Sequence, residues 1–174
     1  GLSSEKFNML KPYIQISEAF RRKQDTLHFI KKAEKDTLAV YKYPEGTLVD
    51  LNEADTTELK KIPGIGSGIA RMIVAYRKRL GGFYDMAQLK EVNYVDEDML
   101  RWFKLGNAPI HRINANKAGL DKLRSHPYMN FYQAKVIIEY RRKKGKLKSL
   151  SQLSLYEEFT EKDLERLSHY LAFD

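Results

Sequence analysis

Apolar residues in the middle of the chain recur with the period of a helix. Ile69, Met72, Ile73, Tyr76 and Leu80 fall on one face at steps of three and four, which predicts a helix over about 67–80. A shorter helix precedes it, opening on the capping box Asp55-Thr-Thr-Glu58, running to about Lys61 and stopped by Pro63-Gly64. Gly81-Gly82 closes the longer helix. Asp85-x-x-Gln88 and Ser149-x-x-Gln152 are matching caps for a third helix in each half of the chain, and a fourth follows Asp96 in one half and Thr160 in the other. Strand-like alternation is confined to the ambiguous "TLAVYKY" (37–43). The pattern predicts an all-α fold of paired helical hairpins.

The hairpins repeat. "ARMIVAYRKRLGGFYDMAQL" (70–89) aligns without gaps on "AKVIIEYRRKKGKLKSLSQL" (134–153), so that Ala70, Tyr76, Gly81 and Leu89 meet Ala134, Tyr140, Gly145 and Leu153. Upstream, "DLNEADTTELKKI" (50–62) resembles "RINANKAGLDKL" (112–123) with one residue dropped. A partial third copy opens the chain, because "LKPYIQI" (10–16) resembles "LRWFKLG" (100–106) and "LSHYLAF" (167–173). The expected organisation is the tail of a preceding unit over 1–16, a basic linker over 17–48, one unit over 49–106 and a second over 107–174.

Composition narrows the class. The chain has 174 residues, 43% of them hydrophobic and 31% charged, which fits a folded globular protein and excludes general disorder. No apolar run approaches the roughly 18 residues of a membrane-spanning helix. Opening on Gly1, the chain is expected to be preceded by further residues. The absence of cysteine excludes disulfides and thiol chemistry. The formal charge of +8 favours a polyanionic partner, but it is unevenly spread: residues 1–48 carry nine basic and six acidic groups, 49–106 nine of each, and 107–174 thirteen and eight. The four histidines lie far apart without metal-ligand spacing, so no metal is expected.

The neutral segment contains the stretch with the most pointed chemistry. "IPGIGSGIA" (62–70) sets three glycines between two helices, although glycine inside a helix costs roughly 1 kcal/mol relative to alanine. One reading is a tight turn. The other is close approach of bare backbone to an anion, since a helix N-terminus offers unpaired N–H groups and a partial positive charge.

"LKKIPGIGSGIARMIV" (59–74) resembles the helix-hairpin-helix motif at Leu59, Ile62, Gly64-Ile65-Gly66, Ala70, Ile73 and Val74. The wider span 51–92 is similar to the DNA-binding domain of the ComEA competence family, including the Asn-x-Ala opening and the Tyr-Arg after the second helix. That resemblance implies tandem, SAM-domain-like short-helix bundles that bind duplex DNA without reading its sequence. It implies phosphate contacts at Gly64, Ile65, Gly66, Ser67 and Gly68, with Ile65 as the core anchor and Arg71 as a side-chain donor one turn on. Lys60 and Lys61 add less specific contacts. The run Arg141, Arg142, Lys143, Lys144, Lys146 and Lys148 is a second anchor or a solvated helix end. Arg77–Arg79 read as a solvated helix end, and Tyr76, Tyr140, Trp102 and Phe103 as packing. No cofactor, small-molecule substrate or membrane contact is expected. The resemblance places such domains outside the cytoplasm, tethered to a membrane, with a cytoplasmic setting as the alternative.

The other hairpins depart from the pattern. "VNYVDED" (92–98) has lost its glycine and carries three acids, and "RSHPYMNFYQA" (124–134) reads as a hairpin three residues longer, with Asn130 in a left-handed turn and Tyr128, Met129 and Phe131 blocking approach. One phosphate-binding hairpin in four is therefore expected, which points to weak binding by a non-enzymatic module. The alternatives are a protein-interaction scaffold, in which the hairpins are purely structural, and a DNA-repair accessory. Helix-hairpin-helix motifs also serve DNA glycosylases, but "GGFYDMAQL" (81–89) offers Asp85 only as a helix cap.

Overall fold

A computed structural model of the chain describes Lys6, Asn8, Met9 and residues 41–174. The chain divides into two compact units, Gly1–Val40 and Tyr41–Asp174. Apart from Lys6, Asn8 and Met9, the partial repeat expected over 1–16 lies outside the described residues, as does most of the linker expected over 17–48.

The second unit contains two similar short-helix bundles in succession. In the first, β1 (Val49–Asp50) leads to α1 (Thr56–Leu59), α2 (Ser67–Leu80), a 3-10 helix (Met86–Glu91), α3 (Glu97–Leu100) and β2 (Phe103–Lys104). In the second, β3 (Ile113–Asn114) leads to α4 (Leu120–Arg124), α5 (Phe131–Lys144), a 3-10 helix (Leu150–Gln152), α6 (Glu161–Ser168) and β4 (Leu171–Ala172). The fold is helical, as the periodicity predicts, and α2 covers the predicted residues. Helix α1 ends at Leu59, with Lys60 as its C-cap, two residues short of the expected Lys61. The segment 41–43 is not a strand. The strands that do form are two-residue parallel pairs, Val49 with Phe103 and Ile113 with Leu171, which tie the start of each bundle to its end.

Each bundle has its own core. Leu59, Ile65, Ala70, Ile73, Phe83 and Leu89 fill the first, and Leu123, Met129, Ala134, Ile137, Leu147 and Leu153 take the matching places in the second. Polar supports repeat as well. The Asn52 side chain donates to Phe83 O (2.9 Å) and accepts from Phe83 N (2.8 Å), and Asn116 does the same with Leu147 at 2.8 and 2.8 Å. Arg77 is not a solvated helix end. Its Nη1 donates to Leu51 O (2.9 Å) and Ala54 O (2.8 Å), closing α2 onto the loop before α1.

The four inter-helix turns are closed by the same hydrogen bond. Ile65 N donates to Ile62 O, Val95 N to Val92 O, Met129 N to His126 O and Phe159 N to Tyr156 O, at 3.1, 3.2, 3.1 and 3.1 Å. The third hairpin is therefore not longer than the first. Its residues 124–134 match 60–70 one for one, and Met129 is buried where Ile65 is. Asn130 is not left-handed either: it is an extended N-cap (φ −87°) whose side chain accepts from Gln133 N.

The bundles are clasped together by polar groups. Tyr170, fully buried, belongs to the core of the first bundle, and its hydroxyl donates to Gly82 O at 2.9 Å. Gln88 Nε2 donates to the hydroxyls of Tyr170 and Tyr128, both at 2.8 Å, and Tyr128 donates to Glu91 Oε2 at 2.8 Å. Arg166 meets Glu91 at 3.4 Å and lies over the Tyr128 ring, while His169 stacks on Tyr84 at 3.8 Å between centroids.

Candidate nucleic-acid interface

The glycines of the first hairpin are present for different reasons. Gly64 has φ +82°, a conformation that L side chains rarely adopt, and an added Cβ would lie 3.1 Å from the Met99 side chain. The turn itself requires it. Gly66 is an extended N-cap (φ −95°) and Gly68 is helical, and an added Cβ at either would meet nothing within 4 Å. Neither strain nor internal packing asks for glycine at these two positions. What their lack of a side chain changes is access from outside.

Access is what α2 offers. Gly66, Ser67 and Gly68 are exposed, the N-cap supplies no side-chain hydrogen bond, and the first turn contains no acid. The N–H groups at the start of this 14-residue helix thus keep their hydrogen-bonding capacity and the positive end of the helix dipole. Ile65, 1% exposed, pins the turn from beneath. Arg71 is exposed one turn on, its Nε donating to Ser67 O at 3.1 Å, which holds the guanidinium beside the helix start.

The other three hairpins close the same position. Asp96 caps α3 by accepting from Met99 N, and Glu97 and Asp98 follow it. Asn130 caps α5. Thr160 caps α6, followed by Glu161 and Asp163. Tyr128, at the place of Gly64, is not an obstacle standing in solvent but part of the contact between bundles. Phe131 and Tyr132, at the places of Ser67 and Gly68, remain 46% and 68% exposed.

The flanking cations divide by their partners. Lys60 and Lys61 are half-buried, and Lys61 Nζ lies 5.5 Å from the centre of the Tyr43 ring. Arg141 does not face outward as the basic run suggested: its Nη1 donates to Ala118 O at 2.6 Å, the counterpart of the Arg77 contact. Lys143 reaches Glu139 at 3.5 Å, and Lys144 lies over the Tyr140 and Tyr156 rings. Arg142, Lys146 and Lys148 are exposed, without an ion-pair partner among the described residues. No cluster of potential metal ligands occurs among the described residues. No helix among them is long and apolar enough to cross a membrane.

One contributor was invisible in the sequence. Lys42 Nζ donates to Lys60 O (2.6 Å), Ile62 O (3.1 Å) and Ile65 O (3.4 Å), beneath the glycine turn. A lysine far upstream of its hairpin carries no periodic or motif signal. Only the fold brings it there.

Comparison with known proteins agrees with this geometry. The family model described as helix-hairpin-helix motif matches residues 45–102 and 109–172, and the chain belongs to that family. Such motifs are commonly DNA-binding, which supports a general DNA-binding role for the chain. Among curated proteins it is similar to Endonuclease/exonuclease/phosphatase family domain-containing protein 1 of Mus musculus, 27% identical over 70% of this chain and 27% of that protein. The protein of the same name from Xenopus laevis is 25% identical over 70% of this chain and 26% of that protein, and the one from Danio rerio 28% identical over 60% and 23%. The chain spans about a quarter of the length of these relatives. No solved structure matches it.

Proposed function

We propose that this chain is a non-enzymatic module that holds duplex DNA by its phosphates, independently of sequence. The observation that carries the reading is the contrast between Gly66 and Gly68, which the fold does not need, and the side-chain caps that close the other three hairpins. Backbone N–H groups aimed at phosphate position a duplex without reading bases. The principal contacts are Gly64, Gly66, Ser67, Gly68 and Arg71, with Lys60, Lys61, Arg142, Lys146 and Lys148 as secondary ones. A site built from backbone donors offers neither a nucleophile nor a base, so chemistry belongs elsewhere. DNA uptake, the setting that the ComEA resemblance implies, is one use of such a module. The relatives, named for an endonuclease/exonuclease/phosphatase domain, suggest another, in which it holds DNA for a catalytic domain.

Binding to duplexes of unrelated sequence, followed by fluorescence anisotropy from low to moderate salt, tests the reading. Equal affinity across sequences is expected, falling with salt by a log–log slope of about −0.9 per phosphate neutralised. Gly66→Glu should abolish the binding by placing a carboxylate on the phosphate site. Affinity untouched by that change overturns the proposal and favours a protein-binding role, for which Phe131 and Tyr132 present the exposed aromatic surface.

A further inference from the structure

Both long helices end on a left-handed glycine, Gly81 (φ +92°) after α2 and Gly145 (φ +87°) after α5, but the space beyond them is used differently. In the first bundle the linker that follows β2 folds back over the helix end. His111 N donates to Gly81 O at 2.8 Å, which supplies a donor to a carbonyl at the end of the helix. The linker sits so close that a Cβ at Gly81 would lie 2.4 Å from His111 O, and one at Gly82 3.7 Å from Ile110. Gly82 is accordingly buried. In the second bundle an added Cβ at Gly145 would meet nothing within 4 Å, and Gly145 O accepts no backbone hydrogen bond among the described residues. The uncovered space is a groove of about 430 Å³ lined by Asn116, Ile138, Arg141, Arg142, Gly145 and Lys146. That volume suits a short run of peptide better than a lone ion. Lys146 stands where the first bundle has Gly82, and both Lys146 and Arg142 are exposed without an ion-pair partner among the described residues. No carboxylate lines the groove.

Two needs meet there. The carbonyl at the end of α5 calls for an N–H donor, and the cations beside it attract negative charge. A DNA phosphate brings charge but only acceptors, and the negative end of the helix dipole opposes it. A peptide bearing Asp or Glu brings both the donor and the charge. We propose that this groove docks an acidic, non-helical peptide segment of a partner protein, seated as residues 108–111 are seated on α2. Its backbone N–H meets Gly145 O as His111 N meets Gly81 O, its carboxylates meet Arg142 and Lys146, and the half-buried Ile138 is its apolar wall. The proposal goes beyond the DNA reading and does not depend on it. A docked peptide would withdraw Arg142 and Lys146 from a duplex.

The experiment titrates the full chain into a fluorescent, amidated peptide, Asp-Glu-Ala-Pro-Ile-Glu-Asp, and follows anisotropy. The peptide keeps the Ala-Pro-Ile of the linker and sets acids in place of Asn107 and His111. Native chain should bind it, and should bind a version with Asn and Gln for the acids on the order of tenfold more weakly. Methylating the backbone nitrogen after Ile, which removes the donor to Gly145 O, should cost on the order of tenfold as well. The double variant Arg142→Glu/Lys146→Glu, at two exposed positions, should lose on the order of tenfold for the acidic peptide. In amide shift spectra the peptide should move the signals of Asn116 and Lys146 and leave that of Gly82 in place. Equal affinity for acidic and neutral peptides, undiminished binding of the methylated one, or shifts confined to other residues overturns the proposal. So does a chain that ignores the peptide while the double variant loses duplex affinity, since the groove is then a DNA contact. If the peptide binds as expected and no duplex binds, the DNA reading alone falls.

Discussion

Gly64 and Gly68 stand four residues apart and answer to opposite constraints. The first holds a left-handed backbone conformation against Met99, whereas the second lies in an ordinary helical turn with open space beside it. The same substitution should therefore have opposite signs. Gly64→Ala should lower stability by about 1–2 kcal/mol, the cost of forcing an L side chain into the left-handed region. Gly68→Ala should raise stability by up to about 1 kcal/mol, because alanine is the better helix former. Thermal unfolding measures both. On the DNA reading, Gly68→Ala should nonetheless weaken duplex binding, since its methyl would stand where a phosphate oxygen approaches. A more stable protein that binds worse would separate the needs of the fold from those of the site.

At the scale of the element, one closing hydrogen bond is made four times by turns of different residues, with the backbone left-handed at Gly64 and Tyr94 but not at Tyr128. Leu59-to-Ala70 and Leu123-to-Ala134 superpose in sequence without a gap, yet the first uses glycine at position 64 where the third uses tyrosine at 128. The second hairpin carries a strain that the others avoid. Tyr94, at the place of Gly64, has φ +67° while its side chain is 80% exposed and gains little from burial. Tyr94→Gly should accordingly stabilise the protein by about 1 kcal/mol, read as a rise in the unfolding midpoint. It should not create a second DNA contact, because Asp96, Glu97 and Asp98 still cap and surround that helix start.

For the whole molecule, the contact between bundles decides which hairpins remain free. Tyr128 is committed to Gln88 and Glu91, and His126 beside it is 2% exposed. His126 Nε2 bonds Leu80 O at 3.0 Å and its Nδ1 accepts from Tyr128 N at 3.2 Å, an arrangement that suits the neutral ring. Burial pulls its pKa down to about 4, against the opposing pull of the Leu80 carbonyl. The unfolded chain takes up a proton near pH 6.5 that the folded chain refuses until about 4. Stability from this residue is thus present above pH 6.5 and is lost as pH falls toward 4. Between pH 7 and pH 5 the loss should amount to about 1–2 kcal/mol, and denaturant unfolding of His126→Gln should show a correspondingly flatter pH dependence.

The sequence by itself determined the local and periodic features: the extent of α2, the capping boxes at Asp55 and Asp85, the 64-residue repeat and the glycine-rich hairpin. Each depends on residues a few positions apart, so its signal is written where it acts. The two-residue strands were illegible because so short a strand has no alternation to show. Equally hidden were the roles of Arg77 and Arg141 as braces, Tyr128 as a docking residue and Lys42 beneath the turn, since their partners lie 18 to 40 residues away. Which glycines the fold requires and which it does not also waited on the tertiary structure. That distinction depends on the space beside a missing side chain, and only the packed chain defines it.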